Sequence, residues 1–85
     1  MNEKSTVACY MIHDPQTQMF LRSGEHLQKH EAERWTKEVD SAFQCDLGYV
    51  SAQSVLATLI FLHGGENEFV KRLKRAEIKR MAVER

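Results

Sequence analysis

Six basic residues, Lys71, Arg72, Lys74, Arg75, Lys79 and Arg80, form two blocks within ten positions and are the strongest functional signal in the sequence. On a helix they spread over most of the face opposite Phe69 and Leu73, a geometry able to follow a phosphate backbone. Basic side chains in the last turns of a helix also complement its macrodipole and solvate its outer face, so the blocks have an ordinary structural explanation. No helix-turn-helix, zinc-finger or ribonucleoprotein signature accompanies them. These six residues are therefore the candidate contacts for a partner, with a protein favoured over a nucleic acid.

Other chemistry has weaker support. His26 and His30 stand four apart, a spacing that puts both rings on one helical face, and Glu25, Glu31 and Glu33 lie close enough in sequence to add oxygen ligands. The segment His26-Leu27-Gln28-Lys29-His30 lacks the glutamate that metalloproteases place directly after the first histidine, so surface histidines are expected instead of a metal site. Cys9 lies in an apolar run and Cys45 precedes Asp46, surroundings that disfavour a thiolate nucleophile. Ser23, Ser41, Ser51 and Ser54 suit turns and caps, and no G-x-S-x-G occurs. Gly64-Gly65 follows an apolar segment, whereas a phosphate-binding loop needs its glycines before a helix and a Gly-Lys-Ser/Thr ending. No catalytic, cofactor-binding or metal residue is assigned. The expected protein is not an enzyme, a small enzyme or metal-binding domain ranking third.

The elements that would position the basic blocks begin with Thr6 to Arg22. Val7, Cys9 and Met11 alternate with Ala8, Tyr10 and Ile12, and His13-Asp14-Pro15-Gln16-Thr17-Gln18 separates them from Met19-Phe20-Leu21. The pattern predicts an antiparallel hairpin, with Pro15 presetting φ in the turn and Asp14 accepting from the backbone two residues on. Apolar groups on both faces of the first strand predict that it is covered on both sides.

The spacing of Leu27, Trp35, Val39, Ala42 and Phe43 predicts a helix over roughly Ala32 to Phe43. The competing reading is a third strand at Glu33 to Thr36 beside the hairpin, with a helical turn at Lys37 to Ala42. Ser51 suits an N-cap, and Ala52 through His63 reads as a central apolar helix covered by other elements and closed by Gly64-Gly65. Glu66 to Arg85 reads as a basic C-terminal helix, the alternative being a closing strand around Ala76 to Val83 in a three- or four-stranded antiparallel sheet. The expected fold is α+β: the hairpin packed on the central apolar helix and the basic helix.

Composition sets the remaining limits. Eighty-five residues support one domain with one core, positions 1–5 being expected to be disordered. The apolar fraction of 42% and charged fraction of 28% match folded proteins. Twelve acids balance twelve Lys and Arg residues, but unevenly: residues 1–65 hold five bases and eight acids, and residues 66–85 seven bases and four acids. This polarity can steer association with a charged partner. Two cysteines do not make a disulfide framework, and both are expected reduced and buried. The absence of a signal-like start, and of any apolar run longer than Val55 to Leu62, predicts a cytoplasmic protein without a membrane partner.

The run Tyr10 to Leu21, followed by Trp35-Thr36 and an alanine-bearing helix, resembles a layout common in small bacterial and phage open reading frames. The resemblance covers about half the chain, implies no activity, and slightly favours a third strand near Trp35. The first expectation is a non-enzymatic protein-interaction module, for which size and layout suggest an accessory or inhibitor protein from a phage or other mobile element. Trp35, Tyr10, Tyr49, Phe20 and Phe69 exceed what so small a core needs, so either one or two stand exposed as anchors or all five pack inside. The nearly all-apolar helix is hard to cover with so few residues, and homodimerisation would solve that problem.

Overall fold

A computed structural model describes residues 6–84; the expectation for positions 1–5 lies outside the described residues. The elements are β1 (Thr6–Asp14), β2 (Met19–Leu21), β3 (Trp35–Thr36), α1 (Tyr49–His63), α2 (Glu68–Arg75) and β4 (Glu77–Glu84), with 3-10 turns at Glu25–Leu27, Glu31–Arg34 and Val39–Ser41. The strands form one antiparallel sheet in the order β3-β2-β1-β4. The result is the expected α+β class, with two helices on one face of the sheet.

The hairpin turn forms as its residues predict. Asp14 accepts at Oδ1 from the Gln16 amide at 3.0 Å and at Oδ2 from the Thr17 hydroxyl at 2.9 Å, while the Gln18 amide donates to the Asp14 carbonyl at 2.8 Å. β1 is the central strand, and Cys9, Met11 and Ile12 are fully buried. Its two faces feed two clusters. Ile12 joins Leu21, Trp35, Phe69 and Leu73 beneath the helices, and Met11 joins Phe20 and Ala42 on the other face.

The helix expected over Ala32 to Phe43 is not formed; the competing strand is, but only at Trp35–Thr36, with Glu33 and Arg34 in the 3-10 turn before it and the helical turn confined to Val39–Ser41. Trp35 has extended dihedrals and pairs with Leu21, and Thr36 pairs with Phe20. The helix-like spacing has another origin. Trp35 and Phe43 pack into the cluster under the helices, whereas Val39 and Ala42 pack on the opposite face. The chain wraps the sheet edge, so residues serving two separate clusters mimic one helical stripe.

The C-terminal segment is likewise divided. α2 ends at Arg75, and Ala76 turns extended at φ −69° and ψ 153°. β4 then pairs with β1 from Glu77 opposite His13 to Glu84 opposite Thr6. A single helix to Arg85 would leave this edge of β1 without its ladder hydrogen bonds, which outweighs local helix propensity.

α1 starts earlier than expected. Its N-cap is Gly48 at φ 118°, where glycine alone is unstrained, and Ser51 falls within the first turn. Gly64, at φ 44°, closes it by donating its amide to the Ile60 carbonyl at 3.0 Å. Asn67 then joins the helices: its Oδ1 accepts from the Val70 amide at 2.8 Å, and its Nδ2 donates to the Gly64 carbonyl at 3.0 Å.

Cys9 and Cys45 are both buried and are not joined in a disulfide. Cys45 bridges Tyr10 through reciprocal backbone hydrogen bonds of 2.8 and 2.9 Å. Bridged residues share a face, so Cys45 lies on the Tyr10 side of β1 and Cys9 on the other. Among the described residues, no helix is long and apolar enough to cross a membrane.

Candidate functional site

The six basic residues do not share one surface. Lys71, Arg72, Lys74 and Arg75 belong to α2, whereas Lys79 and Arg80 belong to β4. Successive strand residues point to opposite faces, so Lys79 lies with Met11 and Arg80 with Tyr10 across the sheet. Lys71, Lys74, Lys79 and Arg80 are exposed, with Lys71 4.0 Å from Glu68.

Arg72 and Arg75 are directed inward to Asp14, whose side chain is fully buried. Arg72 Nε donates to Oδ2 at 2.7 Å; Arg75 donates from Nε to Oδ1 at 3.0 Å and from Nη2 to Oδ2 at 2.9 Å. The second pair is a bidentate clamp, the strong geometry for guanidinium and carboxylate. Arg72 also donates from Nη2 to the Thr17 hydroxyl at 2.8 Å and places its guanidinium 4.4 Å from the Trp35 ring centre. The Arg75 hydrogen bonds, more than offsetting the cost of burial and aided by Arg72, Thr17 and the Gln16 amide, hold the Asp14 carboxyl well below the usual carboxylate range. The same pairing raises Arg75. Sequence reading missed this network because Asp14 and Arg72 are 58 positions apart; a buried turn carboxylate with five acceptor contacts is legible only once α2 lies across the turn.

The aromatics are also redistributed. Trp35, Phe20 and Phe69 are buried, and of the five aromatics considered Tyr49 is the half-exposed one, meeting Tyr10 edge-on at 6.1 Å. The more exposed aromatic is Phe61, at 84%.

Phe61 belongs to a larger surface. α1 was expected to be central and covered, yet only Ala52 is fully buried. Val55, Leu56, Leu59 and Ile60 rest on the core. The opposite flank carries Val50, Ser54, Ala57, Thr58 and Phe61, all exposed, with Leu62 at its margin and Leu47 just before the helix. The fifteen residues of α1 include no Asp, Glu, Lys or Arg. An ordinary amphipathic helix presents charge to water on this side. Beside the flank, between α1 and the start of β4, runs an open groove of about 540 Å³ lined mainly by Tyr49, Leu56, Ile60, Ala76 and Ile78, with Gln53 and Glu77 as its polar side chains.

His26 and His30 are exposed, and no group of three His, Cys, Asp or Glu side chains able to hold a metal occurs among the described residues. No family model, no curated protein and no solved structure matches the chain.

Proposed function

We propose that this chain is a non-enzymatic protein-interaction module whose contact surface is the outward flank of α1. The observation that carries the reading is the composition of the helix itself: Val50 and Phe61 are 73% and 84% exposed on a helix without an Asp, Glu, Lys or Arg. Contiguous apolar surface of this kind marks a contact site in soluble proteins, and a large exposed aromatic is the residue type that dominates contact energies. The sheet and α2 serve as the rigid support, fastened together by the Asp14 network between the hairpin turn and α2.

Nucleic-acid binding is the second reading. It draws on exposed Lys71, Lys74, Lys79 and Arg80, but Arg72 and Arg75 are committed to Asp14, and Lys79 and Arg80 leave opposite faces of β4.

The test is photo-crosslinking in the cells that encode the protein, with benzoylphenylalanine in place of Ala57 and, separately, of Lys74. Protein adducts formed through position 57 and not through position 74 are expected. No adduct through position 57 would overturn the proposal, and nucleic-acid adducts through position 74 would move the basic residues to the front.

A further inference from the structure

We infer that the outward flank of α1 pairs with the same flank of a second copy of this chain, the two helices running antiparallel about a two-fold axis near Ser54. The inference rests on the reading of that flank as a contact surface and names its partner.

Spacing is the first argument. Val50, Ser54, Ala57 and Phe61 follow one another at intervals of four, three and four, the repeat with which two helices pack side by side at a shallow angle. Leu47, three positions before Val50 and 82% exposed, extends the row beyond the helix. The row is small in the middle and large at both ends. Turned end for end about Ser54, it sets Ala57 against Val50 and Phe61 against Leu47, so the small centre lets the backbones approach while the large ends interlock.

Charge is the second argument. A two-fold contact places like against like near its axis, so any ionic residue there would face its own copy. α1 has no Asp, Glu, Lys or Arg, and its one titratable imidazole, His63, stands in the last turn, away from the axis and beside Glu25; antiparallel packing sets each helix's positive end beside the other's negative end. The other long surface available for self-pairing, the outer edge of β4, differs in this respect. It carries exposed Glu77, Lys79, Arg80 and Glu84, the ionic pattern that guards strand edges against association.

Area is the third. Leu47, Val50, Phe61 and Leu62 are between 70% and 84% exposed, together on the order of 500 Å² of apolar side chain, which matches the roughly two-thirds apolar share of the about 800 Å² that each partner buries in a standard homodimeric interface. A partner bearing charge on its contact face would bury that charge opposite an uncharged helix, which is costly; an identical face carries no such cost.

Light scattering coupled to gel filtration tests the pairing directly. At tens of micromolar the mass should be twice the 9.9 kDa chain mass, and Phe61→Glu should return it to 9.9 kDa with an unchanged far-ultraviolet circular dichroism spectrum. Ala57→Glu, nearer the axis, is the second variant should the first fail to fold. A wild-type monomer at several hundred micromolar would overturn self-pairing while leaving crosslinks from Ala57 to another protein as evidence for the contact surface. A dimer that survives both substitutions would place the interface elsewhere.

Discussion

Arg72 on α2 donates a 2.7 Å hydrogen bond to the fully buried carboxylate of Asp14, 58 positions earlier at the end of β1. This contact fastens the hairpin turn to the helical layer, and Arg75 completes it from one helical turn further on. Removing Asp14 leaves two guanidinium groups facing each other without their shared counter-ion. Asp14→Ala should therefore cost about 2–3 kcal/mol, below the usual cost of breaking a buried pair because Arg75 is open to water. Arg72→Ala should cost less, and Arg75→Ala least. Urea unfolding of the three variants checks the order; a larger loss for Arg75→Ala than for Asp14→Ala would contradict it.

The same carboxylate makes stability depend on acid. Its pKa in the folded protein lies far below the ordinary value of 3.8, so the unfolded chain takes up the proton first. The stabilisation is complete at neutral pH and is lost as pH falls through the ordinary value towards the lowered one. The stability gap between wild type and Asp14→Asn should be full at pH 7 and clearly reduced at pH 2.5, where the unfolded carboxyl is protonated and the folded one still ionised. A gap independent of pH, measured by urea midpoints, would exclude this origin.

Asn67 caps α2 with its oxygen and binds the Gly64 carbonyl with its nitrogen. Asn67→Ala should lower stability by about 1–2 kcal/mol, and Asn67→Asp should recover the part due to the cap alone. Thermal unfolding separates the two contributions, and equal melting temperatures for both variants would show that the cap contributes nothing and that the whole loss comes from the Gly64 contact.

Leu73 is fully buried against Ile12, Leu21, Trp35 and Phe69. Leu73→Ala should cost about 3 kcal/mol through lost transfer energy and the cavity left behind. A cost below 1 kcal/mol in urea unfolding would mean that α2 is not part of the core.

Sequence reading recovered the hairpin, the Asp14 turn and the apolar helix because each is set by neighbours within a few positions. It divided the remainder less well for two physical reasons. Trp35, Val39, Ala42 and Phe43 serve clusters on both faces of the sheet, which imitates helical periodicity. Residues 77–84 carry helix-forming side chains but are drawn into the sheet by the open edge of β1, a demand made by residues some seventy positions away. The candidate site followed the same rule. Arg72 and Arg75 looked like free surface charge because their partner is remote in sequence, and the exposed flank of α1 was hidden because periodicity shows that a helix is apolar all round without showing which side the fold leaves bare.

The central claim is that α1 meets its own copy, antiparallel, near Ser54. Ser54→Cys tests it most directly, since the small residues around the axis allow the close backbone approach a disulfide requires. Under mild oxidation this variant should convert rapidly to a covalent dimer, while Lys74→Cys, exposed on α2, stays monomeric. Equal and slow crosslinking at the two positions would contradict the claim.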